Sequence, residues 1–167
     1  MTNDLAATVC DRIVAQMSEA VILADPAGRV ILWNRGAEVL FGHPAAEAMG
    51  QSLDLIIPED LRARHWDGYH RAVSAGHTHL GGRAVPTRAV RKDGTTIYVE
   101  LSFAIVLDET GAVVGALAVG RNITERYLED KTLRRRLAAL EHEVATRSEP
   151  GGSRVGEGHP AGMGQVV

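Results

Sequence analysis

The stretch that decides the fold runs from Pro58 to Gly82 and reads PEDLRARHWDGYHRAVSAGHTHLGG. It predicts a helix to about Ala75, because proline is favoured at the first helical position and Gly76 is placed to end the helix. The glycines that follow lead into a strand predicted over residues 83–92. Four of the chain's seven histidines lie in this stretch, so a bound cofactor or metal is expected here. They are His65, His70, His77 and His79.

Strand signals flank this helix on both sides. Residues 20–24 (AVILA) and 29–34 (RVILWN) are apolar runs joined by Asp25-Pro26-Ala27-Gly28, a sequence typical of a tight turn, so they predict a hairpin. Residues 95–107 alternate between apolar and polar side chains, as a half-buried strand does. The remaining predicted elements are short helices at 35–41 and 45–49, turns at 91–94 and 108–111, and a strand at 112–121.

Helices are predicted at both ends of the chain. Leu5, Val9, Ile13 and Met17 recur at four-residue steps, and Leu133, Leu137, Leu140 and Val144 form a short seam of the coiled-coil kind. Both stripes predict a homodimer. The segments expected are an N-terminal helix at 1–17, a domain at 18–122, a C-terminal helix at 123–147 and a disordered tail at 148–167.

Composition excludes several classes of protein. The chain has 167 residues, 45% of them hydrophobic and 23% charged, which indicates one domain with extensions. A net charge of −3 gives no sign of a nucleic-acid partner. The sequence has no signal peptide and no apolar run that would span a bilayer, so no membrane partner and a cytoplasmic location are expected. Cys10 is the single cysteine, which excludes an intrachain disulfide.

The order of these elements, taken with three short motifs, resembles the PAS domain family. The motifs are Trp33-Asn34, the RKDG turn at 91–94 and RNITER at 121–126. The resemblance covers roughly residues 10–126. It implies an α+β fold with a five-stranded antiparallel sheet, helices packed on one face, and a pocket between the long helix and the sheet. It also implies that the 18–122 segment is the PAS domain.

Within that family, the segment from Pro58 to His65 resembles the haem-binding oxygen sensors of the FixL and Dos type. In those proteins the histidine ligand follows the same proline at the same distance. The resemblance therefore implies one haem b per chain, with His65 as the metal ligand, since iron needs a strong axial ligand such as a neutral imidazole. The other cofactor-binding residues expected are Tyr69, which shares a helix face with His65, and the lining residues Leu80, Leu101 and Phe103.

The sequence departs from the haem sensors on the ligand side of the pocket. Val85 stands where those proteins carry an arginine that contacts oxygen. Arg83 lies two residues earlier, and strand alternation would place it on the same face. Arg83 is therefore the candidate catalytic residue, either donating to a haem-bound ligand or holding a substrate carboxylate.

Other histidines and cofactors are weaker candidates. His70 lies about 140° round the helix from His65, so both cannot face one iron. His77 and His79, with His70 or Asp67, would suit zinc only if the helix and the loop converge. A flavin photoreceptor and a thioester-bound chromophore both need a cysteine inside the domain, and Cys10 precedes it.

Three functions stay open on the sequence. Because no kinase, cyclase or DNA-binding segment follows the last helix, a stand-alone haem PAS protein acting on or sensing a small molecule is expected. It would be an enzyme resembling N-nitroglycine lyase, which releases nitrite from a nitramine, or a gas or redox sensor signalling through a separate partner. The third possibility is a haem-free PAS module for dimerisation or interaction. Colour separates the classes, because haem protein is red and the free module is colourless.

Overall fold

The structure, a computed structural model, describes residues 2–148 of the chain, with side chains described from residue 7 to residue 146. The disordered tail predicted from residue 148 onward lies outside this part, apart from Ser148 itself. The side chain of Leu5, the first member of the N-terminal stripe, also lies outside it.

Five helices and five strands make up the described chain, with a single 3₁₀ turn at Leu53–Leu55. The helices are α1 (Thr2–Gln16), α2 (Arg35–Phe41), α3 (Ala45–Ala48), α4 (Glu59–Ala75) and α5 (Thr124–Ser148). The strands are β1 (Ala20–Ala24), β2 (Val30–Trp33), β3 (Val85–Val90), β4 (Thr96–Leu107) and β5 (Val113–Asn122).

The strands form one antiparallel sheet in the order β2-β1-β5-β4-β3. The first and last strands of the chain, β1 and β5, are neighbours at its centre, where Ile22 pairs with Ala118 and Ala118 with Phe103. The predicted α+β fold with a five-stranded antiparallel sheet is therefore confirmed.

One face of the sheet forms the core. On β4 the side chains of Ile97, Val99 and Leu101 are buried, as the alternation of the sequence predicts. On β5 the small residues Ala116 and Ala118, which pair with Ile105 and Phe103, pack against the same core, and α4 contacts this strand. Small side chains let the helix backbone approach the sheet closely, so β5 sets the position of α4.

Asn34 joins three elements at the edge of the core. Its side chain is only 5% exposed, and its Oδ1 accepts from the backbone N–H of Val21 (2.8 Å) and of Ala37 (2.9 Å). Its Nδ2 donates to the carbonyl oxygens of Val14 (3.0 Å) and Glu19 (3.0 Å). One amide therefore caps α2 and ties α1 and β1 to it.

Two local predictions around α4 and β3 are wrong. Pro58 occupies the position before the first helical residue, with an extended backbone, so α4 begins at Glu59 rather than at the proline. The strand predicted from residue 83 begins at Val85, where register pairing with Leu101 starts. Gly76 ends α4 in the left-handed conformation as predicted, at φ 71°.

Two compact units divide the described chain, with the boundary between Leu128 and Glu129. In the second unit the apolar seam of α5 is exposed at Leu133, Leu137 and Leu140, and Arg134 pairs with Asp130 at 2.7 Å. None of the helices within residues 2–148 is long and apolar enough to cross a membrane.

Candidate functional site

His65 lies in the middle of α4 with its imidazole half-buried. Its Nδ1 is enclosed and has no hydrogen-bond partner. Burial lowers the pKa of His65; the carboxylate of Asp54 acts in the opposite direction, and His70 adds a smaller lowering effect. His65 is therefore held as a neutral imidazole, the form in which a ring nitrogen has a lone pair to give to a metal.

Tyr69, one turn after His65, fixes α4 to the sheet. Its side chain is 8% exposed, and its hydroxyl donates to the carbonyl oxygens of Ala24 (3.1 Å) and Asp25 (2.6 Å). Burial, reinforced by the charge of Asp25, raises the pKa of Tyr69 to about 12. The phenol therefore remains a hydrogen-bond donor at any physiological pH, and its ring stands 5.8 Å from that of His65.

Trp66 also contacts the His65 ring, and its own ring lies 5.4 Å from that of Tyr69. The Trp66 and His65 rings meet edge to face at 5.0 Å between centroids. The indole Nε1 donates to Oδ1 of Asp54 at 2.9 Å, which brings that carboxylate next to His65. Arg62 donates to the carbonyl oxygens of Asp54 (3.1 Å) and Ile57 (3.2 Å).

The other histidines of the 58–82 stretch are exposed, whereas His43, between α2 and α3, is half-buried like His65. His70 is exposed and stacks on Trp66 at 5.8 Å. His77 and His79 lie in the loop after α4 with their rings 5.9 Å apart, and the Nδ1 of His77 is 3.0 Å from the carbonyl oxygen of Ala75. Among the residues that the structure describes, no group of three or more His, Cys, Asp or Glu side chains could hold a metal ion.

The predicted apolar lining divides between strand and loop. Leu101 is buried on the core face of β4, and Phe103 is half-buried on the same face, packed against the core. Leu80 is half-buried in the loop between α4 and β3. The hydroxyl of Thr78 donates to the carbonyl oxygen of Phe103 at 3.5 Å, so this loop is held against β4.

Arg83 is exposed in the loop that precedes β3. Its backbone N–H donates to the carbonyl oxygen of Leu80 at 3.0 Å, which makes a turn of this segment. The strand-parity argument that assigned Arg83 to the face of Val85 is therefore wrong, because alternation holds only within a strand. Any role of Arg83 depends on the reach of a long side chain from a loop.

Sequence reasoning missed the part played by Asp54 and Gly28. Asp54 contacts Trp66 from the 3₁₀ turn, twelve residues earlier, and Gly28 lies under the Trp66 ring in the β1–β2 turn. Neither residue has a fixed spacing from His65. Two features of the sequence point to these contacts only indirectly. They are the glycine that ends the Asp25–Gly28 turn and the large aromatic residue, Trp66, that directly follows the candidate ligand.

The sheet order and the packing of α4 across one face define an α+β domain with a single helix-on-sheet core. A family model described as the PAS fold matches residues 10–123, more than half of the chain. The chain therefore belongs to the PAS family, and the resemblance read from its motifs is confirmed.

Known relatives include named sensor proteins. Sensor protein FixL of Bradyrhizobium diazoefficiens is 32% identical over 133 residues, which cover 78% of this chain and 25% of FixL. Oxygen sensor protein DosP of Escherichia coli is 26% identical over 121 residues, which cover 72% of this chain and 15% of DosP. The chain thus spans a quarter or less of the length of these relatives.

Solved structures agree on the fold. The crystal structure of the PAS domain of a protein from Colwellia psychrerythraea has a TM-score of 0.63 and is 24% identical. The alignment covers 72% of this chain and 98% of that domain. At this identity the likeness shows a shared fold alone.

Proposed function

We propose that this PAS domain binds one haem b per chain, with His65 as the axial ligand of the iron. The observation that carries the proposal is the state of the His65 imidazole. It is half-buried, kept neutral by its surroundings, and its enclosed Nδ1 has no partner within the protein. Leaving a buried polar atom unpaired costs free energy, so this nitrogen calls for an explanation. The Nε2 of His43 is also enclosed without a partner, but His43 lies outside the helix in which the resemblance to haem sensors places the ligand.

The neighbours of His65 fit this role. Tyr69 anchors the ligand-bearing helix to the sheet, and Leu80, Leu101 and Phe103 supply apolar surface for a macrocycle. When bound, haem would supply an iron that can take a diatomic gas or the oxygen of a nitro group. Leu80, Leu101 and Phe103 would keep water away from it.

Haem binding is tested by adding haem to the purified 167-residue chain and following its absorption. We expect an absorption band near the violet edge that saturates at one haem per chain. The band should be absent from a variant that lacks the His65 imidazole. A colourless protein after adequate haem supply would return the chain to the class of haem-free PAS modules.

For the chemistry at the haem we propose elimination of nitrite from a nitramine such as N-nitroglycine. A proton passes from the carbon beside the carboxylate to solvent water, a carbon–nitrogen double bond forms, and the nitrogen–nitrogen bond breaks with its electron pair passing to nitrite. The step is redox-neutral. In this proposal the guanidinium of Arg83, exposed at the end of the loop that covers β4, pairs with the substrate carboxylate.

Removing Arg83 tests this assignment. We expect haem-loaded ferrous protein to release nitrite from N-nitroglycine over many turnovers. Arg83→Ala should slow release by about tenfold or more, since one charge-assisted hydrogen bond is lost, and leave the haem spectrum unchanged. Arg71→Ala, which removes an equally exposed arginine from α4, is the control and should keep the rate.

Gas sensing is the second candidate, supported by the similarity to sensor protein FixL and oxygen sensor protein DosP. A fully loaded ferrous sample that yields no nitrite but shifts its absorption band reversibly with oxygen or carbon monoxide would decide for sensing. Sensing would then require an output element that responds to the bound state of the domain.

We further propose that the chain forms a homodimer through α1. Val9 and Ile13, on the same face of this helix, are 46% and 56% exposed. Exposing two large apolar side chains next to each other is unfavourable in water and is typical of an interaction surface. On the sheet face opposite the core, Leu32, Leu23 and Leu117 are register neighbours and form a second apolar row. The seam at Leu133, Leu137, Leu140 and Val144 offers further apolar surface.

A charge on the α1 stripe should separate the two copies. We expect light scattering to give a dimer mass for the wild type and a monomer mass for Val9→Asp at micromolar concentration, because an unpaired carboxylate would have to be buried. Val39→Asp is the control, since Val39 is 69% exposed on a different helix, α2. A monomeric wild type, or a dimer that survives Val9→Asp, contradicts the prediction.

A further inference from the structure

We propose that Trp66 is a positioning residue for His65; the proposal rests on His65 being the ligand assigned above. Asp54 holds the indole through a hydrogen bond, and Gly28 leaves space for it because glycine has no side chain. Trp66 follows His65 directly and contacts its ring edge to face at 5.0 Å. The rotation of the imidazole therefore depends on where the indole lies.

The indole is fixed on two sides. Its Nε1 donates to Oδ1 of Asp54 at 2.9 Å, a hydrogen bond to a charged acceptor. Its six-membered ring lies directly on Gly28: a Cβ built on this glycine would come within 2.3 Å of two ring carbons of Trp66. Real Cβ atoms do not approach other atoms so closely, so any side chain at position 28 must push the indole away.

Tyr69, three residues after Trp66, contacts the same β1–β2 turn. Its hydroxyl donates to the carbonyl oxygens of Ala24 and Asp25, while Trp66 covers Gly28 at the other end of the turn. Residues three apart share a helix face, so this face of α4 is fastened to the β1–β2 turn at two points. His65 lies at the start of that fastened segment.

The chain contains a matched turn that lacks the tryptophan. Asp25 and Asp108 each accept through Oδ1 from the backbone N–H groups two and four residues later. Gly28 and Gly111 end these turns at φ 80° and 84°. A Cβ on Gly111 would have nothing within 4 Å. Gly111→Ala therefore reproduces the backbone strain of Gly28→Ala without the contact with the indole.

The first experiment compares Gly28→Ala with Gly111→Ala in the full chain. Haem-loaded protein is mixed with apomyoglobin, and the rate of haem loss is followed by absorption. We expect Gly28→Ala to lose haem about tenfold faster than Gly111→Ala, as a misplaced ligand-supporting group typically costs about 10–100-fold in affinity. Equal rates in the two variants would overturn the proposal.

Three further variants keep the proposal testable if Gly28→Ala folds poorly. Trp66→Phe retains an aromatic ring but removes the Nε1–H donor. Asp54→Asn retains an oxygen that can accept from the indole, whereas Asp54→Ala removes it. We expect faster haem loss in Trp66→Phe and Asp54→Ala, and a rate close to wild type in Asp54→Asn. Equal rates in Asp54→Ala and Asp54→Asn would contradict a positioning hydrogen bond.

A third readout does not involve haem. Diethylpyrocarbonate modifies accessible neutral imidazoles, and peptide mass spectrometry reports the reaction at each histidine. In haem-free protein we expect Trp66→Phe and Gly28→Ala to speed modification of His65 several-fold, relative to Gly111→Ala. Unchanged modification of His65 would overturn the positioning role. Failure of the haem assignment itself would appear separately, as haem retained by His65→Ala.

Discussion

His65→Ala is expected to abolish haem incorporation, with a loss of affinity larger than about 100-fold, because removing a direct ligand costs more than disturbing its support. The replaced imidazole is the half-buried, neutral histidine of α4, with an unpaired enclosed nitrogen. Alanine keeps the helix, since it has the highest helix propensity. The measurement is the absorption of variant and wild type after identical haem loading.

Three other histidines provide matched controls. His70→Ala, His77→Ala and His79→Ala each remove an exposed imidazole from the same stretch and should keep the haem spectrum. Added free imidazole should restore the band of His65→Ala, because a small ligand can occupy the space left by the side chain. An unaltered spectrum in His65→Ala, or a loss of haem in His70→Ala, would show that the ligand was assigned to the wrong residue.

Most of the fold could be predicted because its signals are local. The alternation in β4 and the glycine at the end of α4 each specify one element through its own residues. The predicted bounds of helices and strands are wrong where a residue suits two backbone conformations equally well. Pro58 suits both the first helical position and the extended residue before it, and here the extended conformation is found. Around Arg83 the two glycines allow a turn that shortens β3.

The site was predictable only in part. His65 stands out because it follows Pro58 at a spacing shared with known haem proteins, whereas Asp54 and Gly28 act through contacts that no spacing encodes. The contact between Gly28 and Trp66 joins residues from the β1–β2 turn and from α4. Such contacts depend on how α4 lies across the sheet. The small residues Ala116 and Ala118 of β5, which pack beneath the helix, set that position.

The largest effect on stability is expected from Asn34→Ala. The variant leaves two backbone N–H groups and two carbonyl groups without the partner that satisfies them in the wild type, in a position that is only 5% exposed. Each unpaired buried group costs about 1–3 kcal/mol, partly recovered by water. We expect a loss of about 4 kcal/mol in the free energy of unfolding, or roughly 15 °C in the melting temperature.

Two comparison variants separate this network from an ordinary helix cap. Asn122→Ala removes an exposed side chain that accepts from the backbone N–H of Thr124 at 2.8 Å, and it should cost only about 1 kcal/mol. Asn34→Asp keeps the shape and the acceptor Oδ1, but it places a second oxygen against the carbonyl groups of Val14 and Glu19. It should therefore destabilise the domain at neutral pH as strongly as alanine does. If calorimetry found Asn34→Asp close to wild type, or Asn34→Ala no worse than Asn122→Ala, the amide would not be what joins α1, β1 and α2.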